Sequence, residues 1–404
     1  MRLATVAMMI VSMSLVAQAD VPDTGEPHVF LADAEQLMEV RARVAAGDPA
    51  LQPAMDKLLA DAKEALEAGP FTVVEKPMTP PSGDKHDYMS VGPYWWPNPD
   101  TEDGLPYVRR DGDVNPERYE YDNVRQSKMS SAVRTLALAY FLTGEKRYAT
   151  HAARLLRVWY LDEETRMNPH LEYGQAIPGR VDGRGIGIID TLGLPLVLDA
   201  VGMLQASAAW TDEDQRGLQQ WFSDYLDWIW THPYGKAERN TRNNHGTWYD
   251  VQAVAYALFT ERDEKAREVL ESVPENRIAK HFEPDGRQPH ELARTKSFAY
   301  STMNLRGFFY LATMGAQFDS IDLWRFETED GRSLRQGLDW ILKHAFGDGE
   351  WEFENMTPIT PGRMLPLLRM AAVAYGESAY EEKLHELAGE DWAADRWNLL
   401  HPAQ

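Results

Sequence analysis

The sequence predicts an all-α protein, an α/α barrel (toroid) of helical hairpins with a long Pro/aromatic-rich loop near the N-terminus. Three observations point there. From about residue 127 onward, one apolar segment of helical spacing follows another with only short turns between. Runs with the strict alternation of a strand are scarce. The polar motifs fall between the helices, which suits a toroid whose inter-helix loops converge on one end and build a cleft. A plain solenoid does not require that distribution, and no internal repeat is visible.

The elements read as follows. Met1-Arg2, the apolar stretch from Val6 to Val16 and the Ala17-Gln18-Ala19 pattern form a signal peptide over residues 1–19. The apolar stretch is too short to span a bilayer. The mature chain is then residues 20–404, a single toroid domain, periplasmic or secreted and without a membrane attachment once the signal is removed. Residues 34–68 are helical, with Leu37, Val40, Val44, Leu58, Leu59 and Leu66 at compatible spacing. Residues 70–125 carry nine prolines and read as a long ordered loop contributing to the cleft, since Tyr94-Trp95-Trp96 argues against disorder. Ser130 to Leu142, ending at Gly144, and Tyr148 to Leu161 make an antiparallel hairpin. Asp190 to Leu204 is a further apolar segment. Thr211-Asp212-Glu213-Asp214 opens a helix as a capping box would. Segments 247–259, 262–272, 301–316, 331–346, 363–376 and 378–388 continue the series.

Composition narrows the classes of function. The 404 residues include no cysteine, which removes disulfides and thiolate chemistry. A hydrophobic content of 44% is enough for a packed core. The formal net charge of −22 argues against a nucleic-acid partner. Local charge can override that total, and Arg239, Arg242, Arg287 and Arg294 gather around the polar motifs.

The most informative stretch is Asn243-Asn244-His245-Gly246-Thr247-Trp248. The apolar periodicity of Trp248, Val251, Val254, Ala255, Leu258 and Phe259 begins there, so the polar trio sits at a helix N-terminus. Free backbone N–H groups and the helix dipole favour an anion at that place, and favour a neutral, proton-accepting imidazole. Either Asn243 or Asn244 suits the N-cap, which leaves the other for substrate. Some fifty positions on, Glu291 to Tyr300 brings Arg294 and a tyrosine. An amide, an imidazole, a guanidinium and a phenol are what abstraction of a proton α to a carboxylate needs. In β-elimination from a uronic acid, an amide or arginine neutralises the carboxylate as charge develops, a base takes the C5 proton, and an acid protonates the leaving glycosidic oxygen. That scheme calls for no cofactor and no metal. His281, Glu283, Asp285, His290 and Glu291 are close in sequence but lack the spacing of a metal site.

Asn243-Asn244-His245-Gly246-Thr247-Trp248 resembles the N-N-H-x-x-W motif of the alginate lyase superfamily of α/α-barrel enzymes. His86 to Ser90 followed by Pro93-Tyr94-Trp95-Trp96-Pro97-Asn98-Pro99 is a second signature, most like polysaccharide lyase family 38. The resemblance covers roughly residues 30–375 and implies a lyase for alginate or glucuronan, an anionic uronate polysaccharide. It implies that Asn244 neutralises the carboxylate, that His245 is base or neutraliser, and that Tyr300 is base or acid beside Arg294. Around Arg294 and Tyr300 the spacing departs from that of the family 5 alginate lyases. Asn243, Tyr94, Trp95, Trp96, Arg242, Trp248, Glu291 and His290 are the candidates for binding substrate.

Two rival readings remain at the level of sequence. A glycoside hydrolase on the same toroid would need a pair of carboxylates, with Asp182, Asp190 and Asp250 nearest the motifs. An exported carbohydrate-binding protein would use Tyr94-Trp95-Trp96 as a platform but gives no reason for Asn244, His245 and Tyr300.

Overall fold

A computed structural model describes residues 25–402. The expected signal peptide lies outside them. In chain order the helices are α1 (Ala34–Ala45), α2 (Gln52–Ala65), α3 (Asp122–Thr143), α4 (Lys146–Tyr160), α5 (Leu194–Leu204), α6 (Asp212–Thr231), α7 (Pro233–Arg239) and α8 (Asn244–Phe259). They continue as α9 (Asp263–Val273), α10 (Ala279–His281), α11 (Pro289–Leu292), α12 (Ser297–Gly315), α13 (Leu334–Phe346), α14 (Leu365–Tyr375), α15 (Ser378–Leu387) and α16 (Trp397–Leu400).

Burial sorts these helices into two rings. Helices α5 and α8 are buried nearly all round, as are long stretches of α3 and α12. Such helices belong inside. They pack in succession, α3 on α5, α5 on α8 and α8 on α12. Helix α4 instead buries one face, Tyr148, Ala149, Ala152, Ala153, Leu155, Leu156, Trp159 and Tyr160, and leaves Lys146, Arg147, Thr150 and Arg154 exposed on the other. Helices α6, α9 and α13 follow the same pattern and lie outside. The result is an α/α toroid, in which each outer helix returns the chain so that the inner helices all point one way.

Local chemistry sets the turns. Helix α3 ends at Gly144 in the left-handed conformation, φ 73°, and α4 begins two residues later. Thr211 and Asp214 close a reciprocal capping box on α6. Two expectations need correction. Residues 34–68 are two helices, because the chain breaks after Ala45 and Gly47 adopts φ 74°. Residues 70–125 are not simply a loop: β1 (Met89–Val91), β2 (Trp95–Trp96) and β3 (Val108–Arg109) lie within them. Strand β1 pairs in parallel with β4 (Tyr173–Ala176), and β2 pairs antiparallel with β3. Strands this short carry no readable period. They form because backbone laid over other structure must satisfy its N–H and C=O groups. Gly185–Leu204 is long and apolar enough to cross a membrane, but 72% of its apolar window is buried in the protein, as in a core helix.

Candidate active site

Asn243 is the N-cap of α8, its side chain accepting from the His245 N–H at 3.3 Å. That settles which of the two amides caps the helix and which is free of that duty. Asn244, fully buried, is held by Glu291, which accepts from the Asn244 backbone N–H at 2.6 Å and from its Nδ2 at 2.6 Å. Burial raises the pKa of Glu291, while Asn244, His245 and Arg294 act to lower it. The Oδ1 of Asn244 is buried without a partner. The clamp therefore fixes the amide plane with one oxygen and one amide hydrogen uncommitted.

His245 follows in the first turn of α8. Its Nδ1 lies 2.6 Å from Oε1 of Glu238, a carboxylate only 1% exposed at the end of α7. An ionised carboxylate there accepts the Nδ1 proton and leaves Nε2 as the free ring nitrogen. A carboxylate partner for this imidazole was not expected from the sequence.

Tyr300 lies in the first turn of α12. Its hydroxyl is 2.6 Å from that of Tyr94 and accepts from Arg294 at 3.0 Å. The same guanidinium sits 4.0 Å from the Tyr300 ring centroid and pairs with Asp111 at 2.9 Å. The charge of Arg294 favours the phenolate. Burial outweighs it and, with the Tyr94 hydrogen bond, pushes the Tyr300 pKa up, so the resting group is the neutral phenol. Burial also acts to raise Asp111, but its partners Arg294 and Arg109 prevail and hold it at about 2.

These groups share one cleft of about 910 Å³. Asn123, Leu194, Asn244 and Tyr300 line it, and each belongs to the first residues of α3, α5, α8 or α12. Four positive dipole ends thus face one space. Arg109, Arg118, Arg134, Arg184, Arg294, Arg363 and Lys296 add side-chain charge. Asp190 is the one carboxylate among the described residues that line the cleft. It accepts from Ser90, from Tyr88 at 3.1 Å and from Gln175 at 2.8 Å. A chain of net charge −22 has gathered cations around this one cleft. Gln175 adopts φ 49°, held there by Ser90, Asp190 and Arg184. A non-glycine residue fixed in that region at a cleft wall marks a site whose geometry is imposed.

Of the sequence candidates, Asn243, Asn244, His245, Arg294, Tyr300, Tyr94 and Trp95 line the cleft together. Five do not. Trp248 is 1% exposed and packs edge-on against Tyr310, because its place in α8 faces the inner core. Glu291 is buried behind Asn244 and serves it instead of the cleft. Arg242 and His290 are exposed outside the cleft walls. Trp96 donates to the Asp113 carbonyl under the Arg110 guanidinium, also outside the walls. Of the hydrolase candidates, Asp182 is exposed and Asp250 is buried in a pair with Arg277 at 2.7 Å. Neither lines the cleft, so no carboxylate pair among the described residues spans it. No three metal-ligating side chains come together among the described residues.

A cationic cleft over converging helix N-termini in an α/α toroid is the architecture of a lyase acting on an acidic polysaccharide. Residues 72–351 match the family model for alginate lyase, and the chain belongs to that family. A crystal structure of an alginate lyase from Bacteroides ovatus superposes with a TM-score of 0.89 at 37% identity, over 94% of this chain and 100% of that one. A variant of alginate lyase A1-III complexed with a tetrasaccharide superposes with a TM-score of 0.61 at 15% identity, over 97% of this chain and 99% of that one. This second likeness is one of fold. No curated protein matches the chain. The protein is a polysaccharide lyase.

Proposed function

We propose that the protein cleaves alginate by β-elimination, with glucuronan as the other uronate polymer to test. One observation carries this reading: Asn244, His245 and Tyr300 face the same cationic cleft, where the lone carboxylate, Asp190, is already fully engaged. The chemistry follows from their placement. The free amide hydrogen of Asn244 meets the uronate carboxylate as charge builds on it. Nε2 of His245 takes the C5 proton when proton and leaving oxygen lie on opposite faces, as in guluronate. The neutral Tyr300 phenol then protonates the glycosidic oxygen. In mannuronate and glucuronate both lie on one face, and a Tyr300 phenolate takes the proton and returns it to the oxygen. The C4–O bond breaks and a C4=C5 double bond forms.

The Tyr94-Trp95-Trp96-Pro97-Asn98-Pro99 segment supports placement within polysaccharide lyase family 38. The N-terminal sequence supports export to the periplasm or medium with no membrane attachment after signal removal, and the charge balance supports a partner other than nucleic acid. Ultraviolet absorbance on polymannuronate, polyguluronate and glucuronan tests the function. Absorbance must grow with every new chain end. Reducing ends without it would indicate hydrolysis.

A further inference from the structure

Three arginines beside the cleft have no bound counter-charge. Arg134 stands on α3 and Arg363 in the 3-10 turn before α14, and both line the cleft. Neither guanidinium has a hydrogen bond or ion pair with any described residue. Arg306 stands on α12, one turn past the cleft residue Met303. It lies over the face of Trp248, 5.8 Å away, and its Nε is buried without a partner among the described residues. Arg306 is close enough to each of the other two to repel it. Burial lowers the pKa of Arg363, and repulsion from Arg306 adds to it. Burial likewise lowers Arg134, with repulsion from Arg396 and Arg306. The carboxylate that faces Arg134 is Asp199. It lies in the pocket behind, and both its oxygens already accept backbone N–H groups of Phe30, Leu31 and Ala32.

Like charges gathered without a partner, with the Arg306 Nε buried among them, cost free energy. An anion entering from the cleft would relieve that cost, and a carboxylate fits the guanidinium fork. The position argues for an anion other than the reacting one. Arg306 is six residues beyond Tyr300 on α12, a rise of about 9 Å along the axis. Along α3 the residues Asn123, Gln126, Ser130 and Arg134 form a polar stripe into the same region, about 16 Å long. We propose that Arg134, Arg306 and Arg363 form a second carboxylate subsite, which holds a uronate neighbouring the one that reacts. This rests on the uronate-lyase reading, and it gives the enzyme a means of preferring polymers charged at successive sugars.

The test is calorimetric binding of uronate oligosaccharides, from disaccharide to hexasaccharide, to the full chain carrying Tyr300→Phe. Affinity should rise with length. Arg134→Gln or Arg363→Gln, added to that background, should each remove about tenfold of the rise, the size of one charge-assisted contact. The more exposed Arg363 gives a valid test even where the Arg134 variant does not fold. A rise that persists in Arg363→Gln, or an equal loss for an uncharged oligosaccharide of the same length, would overturn the subsite. Absorbance with the unaltered enzyme is read on the same oligosaccharides. Its absence would sink the lyase reading and leave the binding comparison intact.

Discussion

Two side chains behind the cleft set the working parts in front of it. Glu291 orients the Asn244 amide and Glu238 orients the His245 ring. Removing the amide leaves the developing carboxylate charge without its donor. Asn244→Ala should therefore lower turnover by roughly a hundredfold or more, measured as absorbance per folded enzyme. His245→Gln should harm polyguluronate cleavage more than polymannuronate cleavage, since only guluronate needs a second group opposite Tyr300. Equal losses on both would remove His245 as the base. Tyr300 sets the pH dependence. Burial and then the Tyr94 hydrogen bond raise its pKa, so on polymannuronate kcat should climb with pH as the phenolate forms. Tyr94→Phe deletes one of the raising causes and should shift that limb to lower pH. A limb that stays put or moves upward would contradict this role for Tyr94. Capping chemistry and apolar period marked the helix start that carries Asn244 and His245, and Tyr300 was singled out by the polar stretch that begins at Glu291 and by the family resemblance. The sequence did not show Glu238 or Glu291 as partners, since packing across other elements creates those contacts. Trp248 was misread because a tryptophan beside a polar motif looks the same whether it faces sugar or core.

At the scale of elements, the segment from 70 to 125 is tied to the rest by side chains as much as by strands. Tyr94 reaches Tyr300, and Asp111 reaches Arg294 across 183 positions. The Asp111 tie has a definite pH signature. Its folded pKa of about 2 lies below the ordinary carboxyl value of 3.8, so its contribution is present above about pH 4 and lost as pH falls toward 2. Urea unfolding of Asp111→Asn should show a deficit against the unaltered enzyme at neutral pH that vanishes near pH 2. A deficit independent of pH would mean that the ion pair does not hold this segment. Helices were legible because each spans several periods of apolar spacing. The strands were not, because β2 and β3 pair over only two residues each.

For the whole molecule, the toroid converts charge distribution into chemistry. Its inner helices aim their N-termini at one cleft, and the arginines collected there reverse the sign of an acidic protein. The closing of hairpins into a ring was readable from the polar motifs that fall in the loops between them. The cationic lining was not, because Arg118, Arg134, Arg184 and Arg363 are scattered along the chain and meet only in the fold. The central claim is elimination by Asn244, His245 and Tyr300, and ultraviolet absorbance during cleavage of polymannuronate by the intact enzyme and by Tyr300→Phe tests it most directly. The account predicts absorbance in step with new chain ends for the intact enzyme and none for the folded variant. Chain ends without absorbance, or substantial absorbance from Tyr300→Phe, would contradict it.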